Sequence, residues 1–193
     1  MKLPPSACLH RCCLRLGGHP LPLGLVIDRA KLCRVLLPAT DESHAQSLLH
    51  PWSATQIETP DAPLPGAEQA SEDDRALAAE AALRLQAWLD GQRETPDLPL
   101  APLPGTPLQQ EIRLRLAAIP RGQTRRYGEL GPARCVARVC SSNPLPLILP
   151  CHRVLPAGGS AEHPGRYRGG SMLKRALLLR EAGRDTEHYI PLP

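Results

Sequence analysis

Two short apolar runs stand early in the chain, LPLGLVID at 21–28 and KLCRVLLP at 31–38, with a short polar turn between them. Leu, Val and Ile in runs of this length, broken by polar residues, predict a β-hairpin. Residues 39–70 are polar and rich in Pro and Ala, the pattern of a loop. The period then changes. Leu77, Ala81, Leu85, Trp88 and Leu89 fall on one face of a helix. Ser71 with Asp74 predicts a capping box at its start, Gly91 predicts its end, and Trp88 reads as a core anchor.

A proline-rich stretch, RETPDLPLAPLPG at 93–105, reads as a linker. Beyond it, Thr106 as N-cap, Pro107 at the first helical position and Gln109 two residues on predict a helix that ends before Pro120. YGEL (127–130) and ARCVARVCSS (133–142) predict two short helices around a tight Gly131-Pro132 connection. SMLKRALLLREAG (171–183) predicts a last helix, with Ser171 as its cap and Gly183 at its end. The expected organisation is an α/β N-terminal domain over 1–92, the linker, and a mainly α domain over 106–193.

Composition narrows the picture. A chain of 193 residues holds one domain, or one with a small companion. It has no Phe and 23 Pro, so the core must rest on Leu, Val and Ala, with many stiff loops. The apolar runs are too short to span a bilayer. MKLPPSACLHRCCLRLGG breaks any apolar stretch with Pro, His and Arg, so no signal peptide is expected. Charge is lopsided. Residues 1–107 carry 9 Lys+Arg against 13 Asp+Glu, net −4, and residues 108–193 carry 14 against 6, net +8. A basic second half is what a polyanion partner requires, although a solvated basic surface has the same signature.

The seven cysteines form an odd set. Together with the N-terminus this predicts free thiols in a reducing compartment, the cytoplasm, and no disulfide framework. Cys8, His10, Cys12, Cys13 and His19 could be read as zinc ligands, but they lack a clean CxxC pair, and no metal site is expected.

Candidate chemistry concentrates in NPLPLILPCHRV, 143–154, where an apolar run ends in consecutive Cys151, His152 and Arg153. A thiol attacks as its thiolate, and an imidazole can take its proton. Neighbours in sequence do not face each other on a strand or helix, so a bend at Pro150 or a bridging water is needed. Glu181 is a candidate to orient the imidazole, and such a pair should lower the thiol pKa. An inert buried thiol beside a surface histidine remains open on the residues alone.

The wider order of motifs resembles the O6-alkylguanine-DNA alkyltransferases. IPRGQTRRYGEL, ARCVARVC, NPLPLILPCHRV and GRYRGGSMLKRALLLREAG follow in that family's sequence, over roughly residues 98–183, and PCHRV is highly specific. The resemblance implies a ribonuclease-H-like α/β domain followed by a winged-helix-like α domain. It implies direct, stoichiometric transfer of an alkyl group from guanine O6 in DNA to Cys151, with no cofactor. His152 would deprotonate the thiol through a water, and Glu181 would fix its tautomer. Asn143 would stabilise the turn presenting the cysteine, and Lys174 would help hold its segment. Tyr127 would sit at the flipped nucleotide and help charge leave the guanine, and Pro146, Val154, Tyr167 and Arg168 would line the alkylguanine pocket. Arg134 would fill the gap left by the extruded base, with Arg125, Arg126 and Arg138 adding charge toward DNA. Nothing demands more than a monomer.

The sequence also departs from that family's pattern. Members usually place about ten residues between YGELA and the finger helix, whereas GPA alone separates Leu130 from Arg134 here, roughly seven residues fewer in the helix-turn-helix elbow. Leu108 and Ile112-Arg113 replace a usual Phe and Val-Trp, and Arg168 stands where a small residue is common. Coupling of DNA docking to base extrusion is therefore expected to be weak. The residues leave two other classes open: a lesion-binding protein without transfer, and a decayed paralogue with weak DNA binding.

Overall fold

The computed structural model of the chain describes residues 6–37 and 69–184. The first stretch forms an antiparallel sheet in the order β1-β2-β3, with β1 at Cys8–Leu16, β2 at His19–Asp28 and β3 at Lys31–Leu36. β2 and β3 are the expected hairpin. Their turn residues, Arg29 and Ala30, both adopt left-handed angles (φ 49° and 53°), the twist that a two-residue hairpin needs. A side chain at such angles is strained, and a specific bond offsets part of that cost: the Ala30 N–H donates to Asp74 Oδ1 at 2.7 Å.

β1 was not expected. Its Cys, His and Arg residues drew attention as chemistry, yet they alternate along a strand paired with β2, from Cys8 opposite Ile27 to Leu16 opposite His19. Cys8, His10, Leu14 and Leu16 are buried, while Arg11, Cys13 and Arg15 are exposed. Among the described residues no three His, Cys, Asp or Glu groups gather as a metal site.

Helix α1 (Glu72–Leu89) buries Leu77, Ala81, Leu85, Trp88 and Leu89, and it packs mainly on β1 and β2 and also meets the last helix of the chain. Ser71 Oγ accepts from the Asp74 N–H at 3.1 Å. Only this half of the capping box forms, because the Asp74 carboxylate goes to the hairpin turn instead. The segment 93–105 lies along β3. The Leu32 N–H donates to Pro99 O at 2.8 Å, the Ala101 N–H donates to Leu32 O at 3.0 Å, and Leu98 is buried.

Helix α2 (Pro107–Ala117) opens with a complete box: the Gln109 N–H donates to Thr106 Oγ1, and the Thr106 N–H to Gln109 Oε1. Then come β4 (Arg125–Arg126), α3 (Tyr127–Leu130), α4 (Ala133–Ser141), a 3₁₀ turn (Cys151–Arg153), β5 (Val154–Leu155, parallel to β4) and α5 (Gly170–Glu181). The expected cap of α5, Ser171, lies inside the helix, and Gly169 is its N-cap. Tertiary packing favours glycine at this cap: a Cβ at 169 would fall 2.6 Å from Leu173 and 3.0 Å from Leu37, so both leucines would have to shift.

The main core joins both halves of the chain. Sheet residues and α1 pack in one cluster with Leu145 and Leu147 and with Leu173, Ala176 and Leu177 of α5. A smaller cluster, Ile112, Leu116, Ile119, Leu130, Val136, Val139 and Val154, knits α2, α3, α4 and β5. The apolar run before Cys151 reaches the core because Leu145 and Leu147 enter the main cluster, and the Val35 N–H donates to Pro144 O at 2.8 Å.

Candidate active site

The run into the core explains why Cys151 sits where it does. Residues 143–151 fold back tightly, with Leu147 at φ 73° and the Leu149 N–H on Leu145 O. Asn143, itself buried, spans the fold. Its Oδ1 accepts from the Leu145 N–H at 3.0 Å, and its Nδ2 lies within hydrogen-bond distance of Leu149 O (2.8 Å) and Cys151 Sγ (3.1 Å). The thiol is therefore presented on a braced turn with a donor aimed at sulfur.

His152 is fully buried and meets Glu181 through Nε2 and Oε1 at 2.9 Å. A carboxylate can only accept, so Nε2 carries the proton and Nδ1 keeps its lone pair. Nδ1 is buried and has no hydrogen-bond partner among the described residues. Arg153 was not anticipated as a site residue. Its Nε donates to Glu181 Oε2 and its Nη2 to Oε1, each at 2.8 Å, a bidentate grip that leaves the carboxylate fixed in one plane. The Gly122 N–H adds a contact to Oε2 at 3.3 Å. Lys174, also buried, donates to Val154 O at 2.7 Å and so ties α5 to the strand that follows the 3₁₀ turn.

Electrostatics follow from this burial. Burial pushes the Cys151 thiol up, and the Asn143 hydrogen bond and the Lys174 charge only partly oppose it. The expected low-pKa thiol is thus reversed: desolvation keeps the resting sulfur protonated. Burial also lowers His152, against the pull of Glu181, which keeps the ring neutral. For Glu181, burial acts upward, but the His152 and Arg153 hydrogen bonds outweigh it and hold the carboxyl at about 2. The resting arrangement is a neutral thiol, a neutral imidazole and an ionised carboxylate.

A cavity of about 300 Å³ adjoins the sulfur. Tyr127, Cys151, Tyr167 and Arg168 line it, together with Ala137, Cys140 and Ser141 of α4 and with Arg166. Cys140, Arg166 and the α4 residues were not foreseen, because only the folded chain brings them to one wall. Pro146 and Val154, expected there, are not among the lining residues. Both are buried, Val154 in β5 within the smaller core. Arg168 donates to Ser141 O at 3.3 Å, bridging the loop before α5 to the end of α4. Burial raises the Tyr127 and Tyr167 hydroxyls, and that of Tyr167 is buried beside the thiol without a hydrogen bond of good geometry.

α4 forms the outer wall. Val136 and Val139 point inward, and Arg134, Ala137, Arg138 and Ser141 are exposed on one face. The Arg134 and Arg138 side chains make no hydrogen bond or ion pair within the described protein. The other two predicted arginines are engaged. Arg126 donates to Pro156 O and Gly159 O at 2.6 and 2.7 Å, and Arg125 donates to Thr124 O and Gln123 Oε1.

Known proteins match this chain in sequence and in fold. Residues 107–183 match the family described as 6-O-methylguanine DNA methyltransferase, DNA binding domain. Over 176 residues, 87% of this chain, the sequence is 34% identical to the bifunctional transcriptional activator/DNA repair enzyme Ada of Escherichia coli, and 48% of that protein is covered. It is 34% identical over 116 residues to the methylated-DNA–protein-cysteine methyltransferase of Methanosarcina barkeri, covering 56% of this chain and 71% of that one. The crystal structure of Mycobacterium tuberculosis OGT in complex with DNA superposes with a TM-score of 0.63 at 28% identity, over 87% of this chain and 91% of the other. The chain thus spans about half the length of Ada and over two thirds of the archaeal relative. It belongs to the O6-methylguanine-DNA methyltransferase family. Among the described residues no helix is long and apolar enough to cross a membrane.

Proposed function

We propose that the protein repairs DNA by direct reversal, accepting an alkyl group from guanine O6 on Cys151 in a single turnover. The observation that carries this reading is the Asn143–Cys151 contact and the His152–Glu181 pair at the wall of a cavity bounded by α4. The alkylated base is buried in stacked DNA, so its nucleotide must leave the helix, at a cost of a few kcal/mol. Arg134 and Arg138 face outward beside the cavity and supply phosphate attraction with little sequence preference. The extruded guanine enters between Tyr127 and Tyr167, with Arg168 at the rim.

The sulfur attacks the alkyl carbon, an S–C bond forms and the C–O bond breaks. The thiol proton passes to His152 Nδ1 through a water, and Glu181 stabilises the imidazolium that results. Tyr127 assists the guanine as it leaves, and the proton finally resides on the released base. The thioether has no route back to thiol, so the protein acts once. On this reading residues 1–92 form a ribonuclease-H-like domain, 93–105 connect, and 106–193 form a winged-helix-like domain that binds DNA. The working unit is a monomer in the cytoplasm.

Intact mass measured after incubation with methylated duplex, and separately with an O6-alkylguanine free base, tests the proposal. One added alkyl mass per chain, mapped to Cys151 and lost in Cys151→Ala, is expected. Alkyl found on Cys135 or Cys140 overturns the assignment. Binding of the methylated duplex without added mass identifies a lesion-binding protein instead, and neither binding nor mass a decayed paralogue.

A further inference from the structure

We propose that Trp88, locked by Arg121, is a positioning residue for His152, so that helix α1 of the N-terminal half sets the orientation of the base. The proposal rests on the alkyl-transfer reading, and it starts from an oddity at the end of α1. The last turn of that helix holds no basic residue to meet its terminal carbonyls, of which Trp88 O already accepts the Gly91 N–H at 3.0 Å. Two arginines from the other half of the chain meet them. Arg121 donates to Trp88 O at 2.6 Å and to Leu89 O at 3.3 Å, and Arg180 of α5 donates to Leu89 O at 3.3 Å. Arg180 also lies 3.7 Å from Asp90, the C-cap. The Arg121 guanidinium then turns over the Trp88 ring, 5.5 Å from its centroid.

The clasped ring touches the reactive centre. Trp88 is 1% exposed, and its ring meets that of His152 at 6.0 Å with the planes at 74°. Tyr167 meets the same imidazole at 6.4 Å and 76°. Both are edge-to-face contacts in the favoured distance range. Glu181 holds only one nitrogen, and a single hydrogen bond leaves the ring free to rock about that bond. Two aromatic neighbours remove this freedom and fix where Nδ1 points. Residues 121 and 122 join the two supports, since Arg121 holds α1 while the Gly122 N–H contacts Glu181. A Cβ at 122 would fall 3.0 Å from Glu181 O, so the close approach itself needs glycine.

The charged and titratable groups around His152 are Glu181 and Lys174 from α5, Arg153 and Cys151 from its own turn, and Tyr167 from the preceding loop. Arg121 stands beyond Trp88. Trp88 supplies the apolar contact from the N-terminal half, and replacing it with a smaller side chain lets water and ring motion in.

The test uses full-length protein and three variants, Trp88→Leu, Trp88→Phe and Arg121→Met. The His152 titration is followed by imidazole NMR, and single-turnover transfer from methylated duplex is followed across pH. In Trp88→Leu the His152 midpoint should rise toward its ordinary value. The acid limb of the transfer profile should move up with it, and transfer near pH 6 should fall by about fourfold, with affinity for duplex unchanged. Trp88→Phe keeps an aromatic edge and should recover most of the rate. Arg121→Met leaves the buried ring in place and should shift both readouts in the same direction by less, so it decides the matter if Trp88→Leu does not fold. Folded variants with an unmoved His152 midpoint and rate, or Phe no better than Leu, overturn the proposal. Wild-type protein that transfers nothing refutes the alkyl-transfer reading alone, and the NMR midpoints still judge the positioning.

Discussion

On the proposed reading, Cys151 is an acceptor kept unreactive at rest by its surroundings. Burial keeps both sulfur and imidazole neutral, so nucleophilicity arises only as the proton moves during attack. The transfer rate should therefore form a plateau between roughly pH 6.5 and 9, the ordinary His and Cys values, and fall only on the acid side of it. An inflection at the ordinary thiol value in a single-turnover pH series contradicts this. Glu181→Gln should slow transfer to free base and to DNA alike, by about 10²-fold or more, because it disturbs the chemistry and not the docking. The same carboxylate bears on stability. Its folded pKa of about 2 lies below the ordinary 4.5, so its contribution is complete above pH 4.5 and is lost as pH falls toward 2. Urea midpoints of wild type and Glu181→Gln should differ at pH 7 and converge as pH falls to about 2. The Cys, His and carboxylate were legible in PCHRV and the last helix. Arg153 lies in the same motif, but its grip on Glu181 exists only once α5 folds back, so no local pattern reveals it.

At the scale of elements, periodicity served where an apolar face was plain. The β2–β3 hairpin, α1 and α2 with its capping box follow the sequence pattern. β1 escaped notice because polar and thiol residues mask its alternation, and the start of α5 because Gly169 is selected by Leu37 and Leu173 rather than by local capping. The shortened elbow survives as a single turn of α3, Gly131 and then α4. Gly131 sits at φ 146°, while Val136 and Ile112 stay at ordinary contact distance, 3.6 Å or more. The obstacle to a side chain there is thus the backbone angle and not space. Gly131→Ala should cost about 1–3 kcal/mol in denaturant melts. Arg134→Glu and Arg138→Glu should each weaken duplex binding and lower its salt slope by about one, leaving free-base transfer untouched. With so short an elbow, native protein should transfer from free base readily but favour duplex only weakly. Refilling the elbow with seven residues should raise the duplex to free-base rate ratio, and a strong duplex preference in the native protein would refute that expectation.

The whole molecule is held by one core that crosses the proline-rich segment. Leu145, Leu147, Leu173 and Leu177 of the site-bearing half pack with the sheet and α1. This could not be read from either half alone, since each residue looks like an ordinary helix or loop leucine until the partners meet. Residues 106–193 expressed alone should leave those leucines in water and lose cooperative unfolding by circular dichroism, whereas the full chain unfolds in one step.

Burial of the acceptor has a bearing on chemical warfare around the cell. Electrophiles and peroxides that seek any thiolate meet exposed Cys13 first, and oxidation follows thiolate character and access. Cys151 shows neither. Its selectivity is that of a lock rather than of a bait: a leaving group must fit the cavity before the sulfur becomes nucleophilic at all. An electrophile that does not fit the cavity therefore reaches exposed Cys13 and not the buried Cys151.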